Sequence, residues 1–194
     1  MILKNLEGKK IILASQSPRR QELLSGIGVD FKVILKDDID EDFDPEMDLK
    51  EIAPFLARKK ADSYHDIIDN ETIIITADTI VCAQNKVLNK PSGEKEAVLM
   101  LQFLSGKKHT VITGVCIKSK TQEIVFSTST EVYFRKLERA EIEFYVKKFR
   151  PYDKAGAYGI QEWIGYTGIT SIKGSYFNVM GFPVHEVYEK LKKF

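Results

Sequence analysis

The chain has 194 residues, enough for one large domain or two fused lobes around a sizeable core. Its 29 basic and 28 acidic residues nearly cancel, which weighs against a nucleic-acid coat or a polybasic membrane tether. Cys82 and Cys116 lie in apolar runs without C-x-x-C spacing, and the opening MILKNLEGKKIILAS lacks a long apolar core and a small-residue cleavage site, so buried free thiols in a cytoplasmic protein with no membrane partner are expected.

In chain order, Ile11 to Ala14 reads as a buried strand running into Ser15 and Ser17 at a sharp turn. Ser17 predicts an N-cap and Pro18 the first helical position, where a missing N–H is harmless and the fixed φ suits a helix. This helix should reach about Ser25, with Leu23, Leu24 and Ile27 toward the sheet and Gly26 or Gly28 closing it. Arg19 and Arg20 then fall in the first turn, where the macrodipole opposes a cation. They make sense around an anion. With serine hydroxyls and exposed N–H groups they predict a polyphosphate cradle that uses no Walker loop.

Val29 to Leu35 alternates as a strand, and seven carboxylates then crowd Lys36 to Glu46. Most of these read as a solvated loop. Asp48 predicts the cap of a second helix through about Tyr64, with Pro54 either kinking it or marking its true first turn. Arg58, Lys59 and Lys60 follow one another on that helix, about 100° apart per residue, so at most one or two address a site. Glu71 to Ala77 is the most apolar strand, and it delivers Asp78 and Thr79 at its carboxyl end, the edge at which open α/β sheets bind ligands. A carboxylate flanked by Ile73 to Ile75 and by Ile80 and Val81 is costly to bury alone, and it calls for a metal, a base or a water.

Val81 to Leu88, broken at Gln84-Asn85, predicts a hairpin that leads to Asn89-Lys90-Pro91-Ser92. A helix over about Gly93 to Leu104 should end at Ser105-Gly106. Thr110 to Lys118 and Glu123 to Arg135 read as an antiparallel ribbon turning at Lys120-Thr121, followed by a helix near Glu138 to Lys148. In DKAGAYGIQ, residues 153 to 161, small side chains allow close backbone approach to a ligand while Tyr158 and Gln161 offer stacking and amide hydrogen bonds. The last helix is expected from Val184 to Lys193. His109 reads as a surface or packing residue, since no H-x-x-x-H pattern accompanies it.

LASQSPRR (13–20), LARKKA (56–61), TADTIV (76–81), NKPS (89–92), LSGKKH (104–109), DKAGAYGIQ (153–161) and IKGSYFNVMGFP (172–183) arrive in an order that closely resembles the Maf family of nucleoside triphosphate pyrophosphatases. The resemblance implies a single α/β domain over residues 1–194, with a twisted mixed β-sheet flanked by helices and two lobes around a central cleft, as in Maf and ITPase-like proteins. It implies hydrolysis of a nucleoside triphosphate substrate to its monophosphate and pyrophosphate, in nucleotide-pool house-cleaning. Arg20 together with Gln161 resembles the branch that prefers dTTP and UTP, with modified pyrimidine nucleotides as further substrates. By the same likeness Asp78 is the proton acceptor, and Ser15, Arg19, Lys60 and Lys90 hold the phosphates. Arg20, Thr79 and Gln161 read the base, and a divalent cation, Mg or Mn, sits near Glu41 and Asp78. Departures are Asn89 in place of a glycine, Phe182 in place of a leucine, and residues 162–168 in place of a glycine-rich run. A homodimer is compatible with all of this and no nucleic-acid partner is expected. A non-catalytic nucleotide-binding regulator of cell division would keep the cradle but dispense with Asp78. A nucleic-acid binder using Arg58 to Lys60 and Lys107-Lys108 fits poorly with a near-neutral chain.

Overall fold

The computed structural model describes residues 3–37 and 39–194; Met1, Ile2 and Asp38, one carboxylate of the acidic run, lie outside the described residues. In chain order the elements are β1 (Lys10–Leu13), α1 (Pro18–Gly26), β2 (Lys32–Val33), α2 (Leu49–Asp62), β3 (Thr72–Ala83), β4 (Lys86–Leu88) and α3 (Glu94–Leu104). They continue with β5 (Lys108–Lys118), β6 (Glu123–Phe134), α4 (Arg139–Phe149), α5 (Trp163–Gly168), β7 (Ile169–Lys173), α6 (Tyr176–Val179) and α7 (Val184–Leu191). Among the described residues the strands form one mixed seven-stranded sheet in the order β2-β1-β3-β5-β6-β7, with β4 paired to β3. The chain makes two compact units, the first from Met1–Asp78, Thr113–Thr128 and Gly181–Phe194, the second from Thr79–Ile112 and Ser129–Met180. Strands β3, β5 and β6 therefore each contribute residues to both units. No described helix is long and apolar enough to cross a membrane.

In the first unit β1 runs parallel to β2 and β3, with Leu13 opposite Ile75, and the pairing extends one step further as Ala14 N donates to the Ile75 carbonyl over 2.9 Å. Leu13, Leu24, Ile75, Val115, Phe182 and Leu191 share its main core, and Leu23 and Ile27 pack against it as the helical spacing requires. The strand expected over Val29 to Leu35 shrinks to Lys32–Val33. Its alternation has no face to bury, since Val33, Ile34 and Leu35 stay 40%, 37% and 45% exposed at the sheet edge. Asp48 caps α2, its carboxylate accepting from Lys50 N over 2.8 Å. Pro54 lies inside an unbroken α2, so it gives up only its own N–H bond, and Thr76 Oγ1 donates to the Ala57 carbonyl over 2.5 Å to fasten the helix to β3.

In the second unit Gln84 and Asn85 take φ of 50° and 59°, the left-handed pair that a two-residue hairpin between β3 and β4 requires. Helix α3 packs on α4, which a capping box between Glu138 and Glu141 starts. Both cysteines are buried free thiols, as their apolar flanks indicated. His109 is a packing residue. It is 2% exposed, lies edge-on to Phe134 and Tyr158 with ring centroids 5.2 and 5.3 Å away, and its Nε2 is hydrogen-bonded to Tyr158 Oη at 2.7 Å.

Burial pushes the His109 pKa down to about 4 from an ordinary 6.5. The unfolded chain therefore takes up a proton first as pH falls, so the stabilisation is complete above pH 6.5 and is lost between there and about pH 4. Wild type is expected to lose roughly 2 kcal/mol from this group between pH 7 and pH 5, a loss that His109→Phe lacks. Urea unfolding of both proteins at the two pH values measures the difference. Equal pH slopes would show that His109 is not held neutral.

Candidate functional site

The end of β1 is shaped by Ser15. Its side chain is buried, and Oγ accepts from Ser17 N and from Arg20 Nη1, each at 3.3 Å. Ser17 occupies the N-cap of α1 as expected, but its own hydroxyl makes no cap bond to the helix. Arg20, in the first turn, donates from Nη1 to the Ala77 carbonyl over 2.7 Å and from Nε to the Gly181 carbonyl over 2.9 Å. Burial lowers its pKa below the usual arginine value, an effect opposed by the nearby Asp78 carboxylate. This tether, which residue identity does not mark, fixes the residue directly before Asp78.

Asp78 does not stand at the end of a strand, as its sequence context suggested, but in the middle of β3. β1 pairs with Thr72 to Ile75 and β4 with Val81 to Ala83, so neither of these two registers covers Asp78 and Thr79; β5 is the other neighbour of β3. These two are the only residues of β3 that are not buried. One turn of α2 supplies the counter-charge: Lys60 Nζ lies 2.5 Å from Asp78 Oδ1 and 2.8 Å from Glu41 Oε1. The Lys60 and Asp78 side chains are each 14% exposed, whereas Glu41 is 55% exposed.

The three adjacent cations of α2 diverge as helical geometry demands. Arg58 reaches Glu123 at 2.9 Å, Lys59 reaches Asp40 Oδ2 at 2.6 Å and the Asp42 carbonyl at 3.0 Å, and Lys60 takes the site. The described carboxylates of the acidic run are exposed and lie outside any helix or strand, as a solvated loop requires, and the hydrogen bond from Lys59 holds the Asp40 carboxyl below its ordinary pKa. Among the described residues no group of three or more His, Cys, Asp and Glu is placed to hold a metal. Asp78 and Glu41, brought together on one ammonium, are hard oxygen donors of the kind a divalent cation takes.

Ser15, Arg19, Arg20, Glu41, Lys60 and Asp78 belong to the first unit, and Thr79, Lys90 and Gln161 to the second. Lys90 is exposed just beyond β4. The small residues at 155–157 admit close approach by protein groups: Gly156 has φ of 69°, donates to the Asn89 carbonyl over 3.3 Å, and a Cβ on it would come within 3.1 Å of the Val81 side chain. Gln161 Oε1 is buried and has no hydrogen-bond partner among the described residues. Where the sequence departs from the expected glycine-rich run, Glu162 is the extended N-cap residue of the short helix α5, Trp163–Gly168.

A family profile described as Maf-like protein matches residues 10–194, running across both units. The chain belongs to the Maf family. Among curated relatives, a Bacteroides fragilis (strain YCH46) protein named dTTP/UTP pyrophosphatase is 49% identical over 192 residues, covering 99% of this Maf chain and 100% of the relative. Proteins of the same name from Parabacteroides distasonis and Porphyromonas gingivalis are 49% and 47% identical, covering 100% of this chain and 100% and 98% of their own lengths. The solved Staphylococcus aureus Ham1 protein superposes with a TM-score of 0.43 at 12% identity, over 65% of this chain and 72% of that one, a likeness too slight to bear on function. Within this Maf sheet, the motif carrying Ser15 and the motif carrying Asp78 meet because β1 and β3 are parallel neighbours in register.

Proposed function

We propose that this Maf-family chain is a nucleoside triphosphate pyrophosphatase that hydrolyses dTTP and UTP, with modified pyrimidine nucleotides as further substrates, clearing them from the cytoplasmic pool. The observation that carries the reading is the placement of Asp78: a half-buried carboxylate in a strand that is buried apart from it and Thr79, paired with Lys60. Relatives at 47–49% identity bear that activity as their name.

Asp78 takes the proton of a water that attacks the α-phosphorus; the bond from that phosphorus to the bridging oxygen breaks and pyrophosphate leaves. Ser15, Arg19, Lys60 and Lys90 hold the triphosphate and offset the charge that grows on the leaving group. Asp78 and Glu41 would hold a divalent cation, Mg or Mn, together with phosphate oxygens, and the ion would supply further charge neutralisation when bound. Arg20, Thr79 and Gln161 set base preference, Arg20 through its grip on Ala77 and Gly181. A regulator that only binds nucleotide could dispense with Asp78, so the presence of both the cradle and this carboxylate favours turnover.

Gln161 carries the pyrimidine preference. Its unpartnered Oε1 is a buried acceptor, and an unsatisfied buried acceptor costs roughly 1–3 kcal/mol, which the ring N–H of uracil or thymine would recover. The amide nitrogen would donate to a ring carbonyl. Gln161→Glu discards that donor and adds a charge, so kcat/KM for dTTP and UTP should fall by about 10- to 100-fold relative to CTP, whose ring nitrogen accepts rather than donates. The measurement is pyrophosphate release from dTTP, UTP, CTP and GTP by both proteins. A wild type that prefers a purine, or a variant that scales all four substrates alike, would overturn the pyrimidine assignment.

A further inference from the structure

Tyr158, Gly159, Gln161 and Glu162 are each held by a hydrogen bond. The Tyr158 hydroxyl is bound by buried His109. Gly159 N donates to Tyr145 Oη over 3.0 Å, and the Gln161 carbonyl accepts from Tyr166 Oη over 2.6 Å. Glu162 closes the set. One of its oxygens, Oε2, accepts from the Tyr145 hydroxyl, and the other, Oε1, lies 3.1 Å from Lys154 Nζ. This carboxylate folds back over the chain so closely that a Cβ on Gly159 would come within 2.9 Å of its Cδ. Tyr145 is fully buried and the Lys154 side chain is 10% exposed, so neither partner is a mobile surface group. Burial, reinforced by the Glu162 carboxylate, keeps the Tyr145 hydroxyl protonated and thus a constant donor.

We propose that Glu162, held by Tyr145 and Lys154, is a positioning residue that fixes the direction of the Gln161 amide and so sets base selectivity. Gly159 and Glu162 bracket Gln161, and one phenol ties both of them. Glu162 N also donates to the Gly159 carbonyl over 3.1 Å, which closes the turn that Gln161 sits in. Hydrogen-bonded selectivity needs the donor and acceptor held within a fraction of an ångström and a few tens of degrees. The Gln161 amide oxygen is buried without a hydrogen-bond partner among the described residues, so no such bond of its own orients it. The turn must therefore do the aiming. The structure supplies this by a side chain that sits where the sequence leaves the expected glycine-rich pattern.

The inference rests on Gln161 as the base reader, and one assay separates the two. Glu162→Gln, Tyr145→Phe, Gln161→Ala and the Gln161→Ala/Glu162→Gln double variant are compared with wild type for kcat and KM on dTTP and CTP, alongside thermal unfolding. Glu162→Gln and Tyr145→Phe should each lower the dTTP-to-CTP ratio of kcat/KM about 5- to 20-fold, mainly through a higher KM for dTTP, on folded protein. In the Gln161→Ala background, Glu162→Gln should add nothing to the ratio, the signature of two residues acting as one unit. An unchanged ratio in both single variants with only a lower unfolding temperature would reduce Glu162 to a structural role and overturn the proposal. Equally, a further drop in the double variant would show that Glu162 acts elsewhere than through Gln161. If Gln161→Ala itself leaves the ratio unchanged, the base-reading assignment fails first and the positioning role falls with it.

Discussion

Asp78→Asn is expected to lower kcat by roughly 100- to 10,000-fold, the range in which loss of a general base usually falls. The substitution keeps the volume of the side chain and an oxygen that accepts from Lys60, so the 2.5 Å contact at the end of α2 has a replacement. Lys60 also retains Glu41 at 2.8 Å, which prevents the partly buried ammonium from being stranded. Binding and folding should therefore change little while turnover collapses. Calorimetric titration of the variant with dTTP, set beside pyrophosphate release under saturating substrate, reads the two effects separately. A kcat within a few-fold of wild type would move the proton acceptor to another residue. A collapse of affinity with unchanged kcat would instead make Asp78 a charge-balancing partner of Lys60 and no base.

Much of this site was legible because its grammar is local. A strand that stops at Ser15, a cap position at Ser17 and a proline at the first helical residue can be read within eight letters, and α1 begins where they say. Asp48 before α2 and Gln84-Asn85 between β3 and β4 are equally local signals. What could not be read depends on partners distant in sequence. Asp78 looked like a strand end because its apolar flank stops there, yet β3 continues to Ala83, with the β1 register ending at Ile75 and the β4 register beginning at Val81. Arg20 is held by the Ala77 and Gly181 carbonyls, and a main-chain acceptor leaves no mark on residue identity. Glu162 lies 17 residues from the tyrosine that binds it, so only the unexpected segment after Gln161 hinted that the turn was secured in some other way.

Gly114→Ala is expected to be the most damaging single-methyl change in the first unit. Gly114 is buried in β5, and a Cβ there would sit 2.2 Å from Ala53 C, 2.2 Å from Pro54 N and 2.3 Å from the Ala53 carbonyl oxygen. All three are main-chain atoms of α2, so no side-chain rotation relieves the clash, and a glycine within a strand here marks direct approach of another backbone. The seam continues with Ala57, Ala61 and Cys116, small side chains that let the helix lie close to the sheet there. Overpacking an ordinary core costs about 1–3 kcal/mol. With rigid backbone on the far side, the loss should exceed about 3 kcal/mol, a fall in Tm of roughly 6–12 °C for a chain of this size. Because Lys60 rides on α2, the same displacement draws its ammonium away from Asp78, and activity should fall further than the folded fraction accounts for. Gly26→Ala is the control: nothing lies within 4 Å of its added methyl, and the change should stay within about 1 kcal/mol of wild type. Thermal unfolding and pyrophosphate release of the two variants decide the matter. A Gly114→Ala protein that melts within two degrees of wild type would mean that α2 does not rest its backbone on β5.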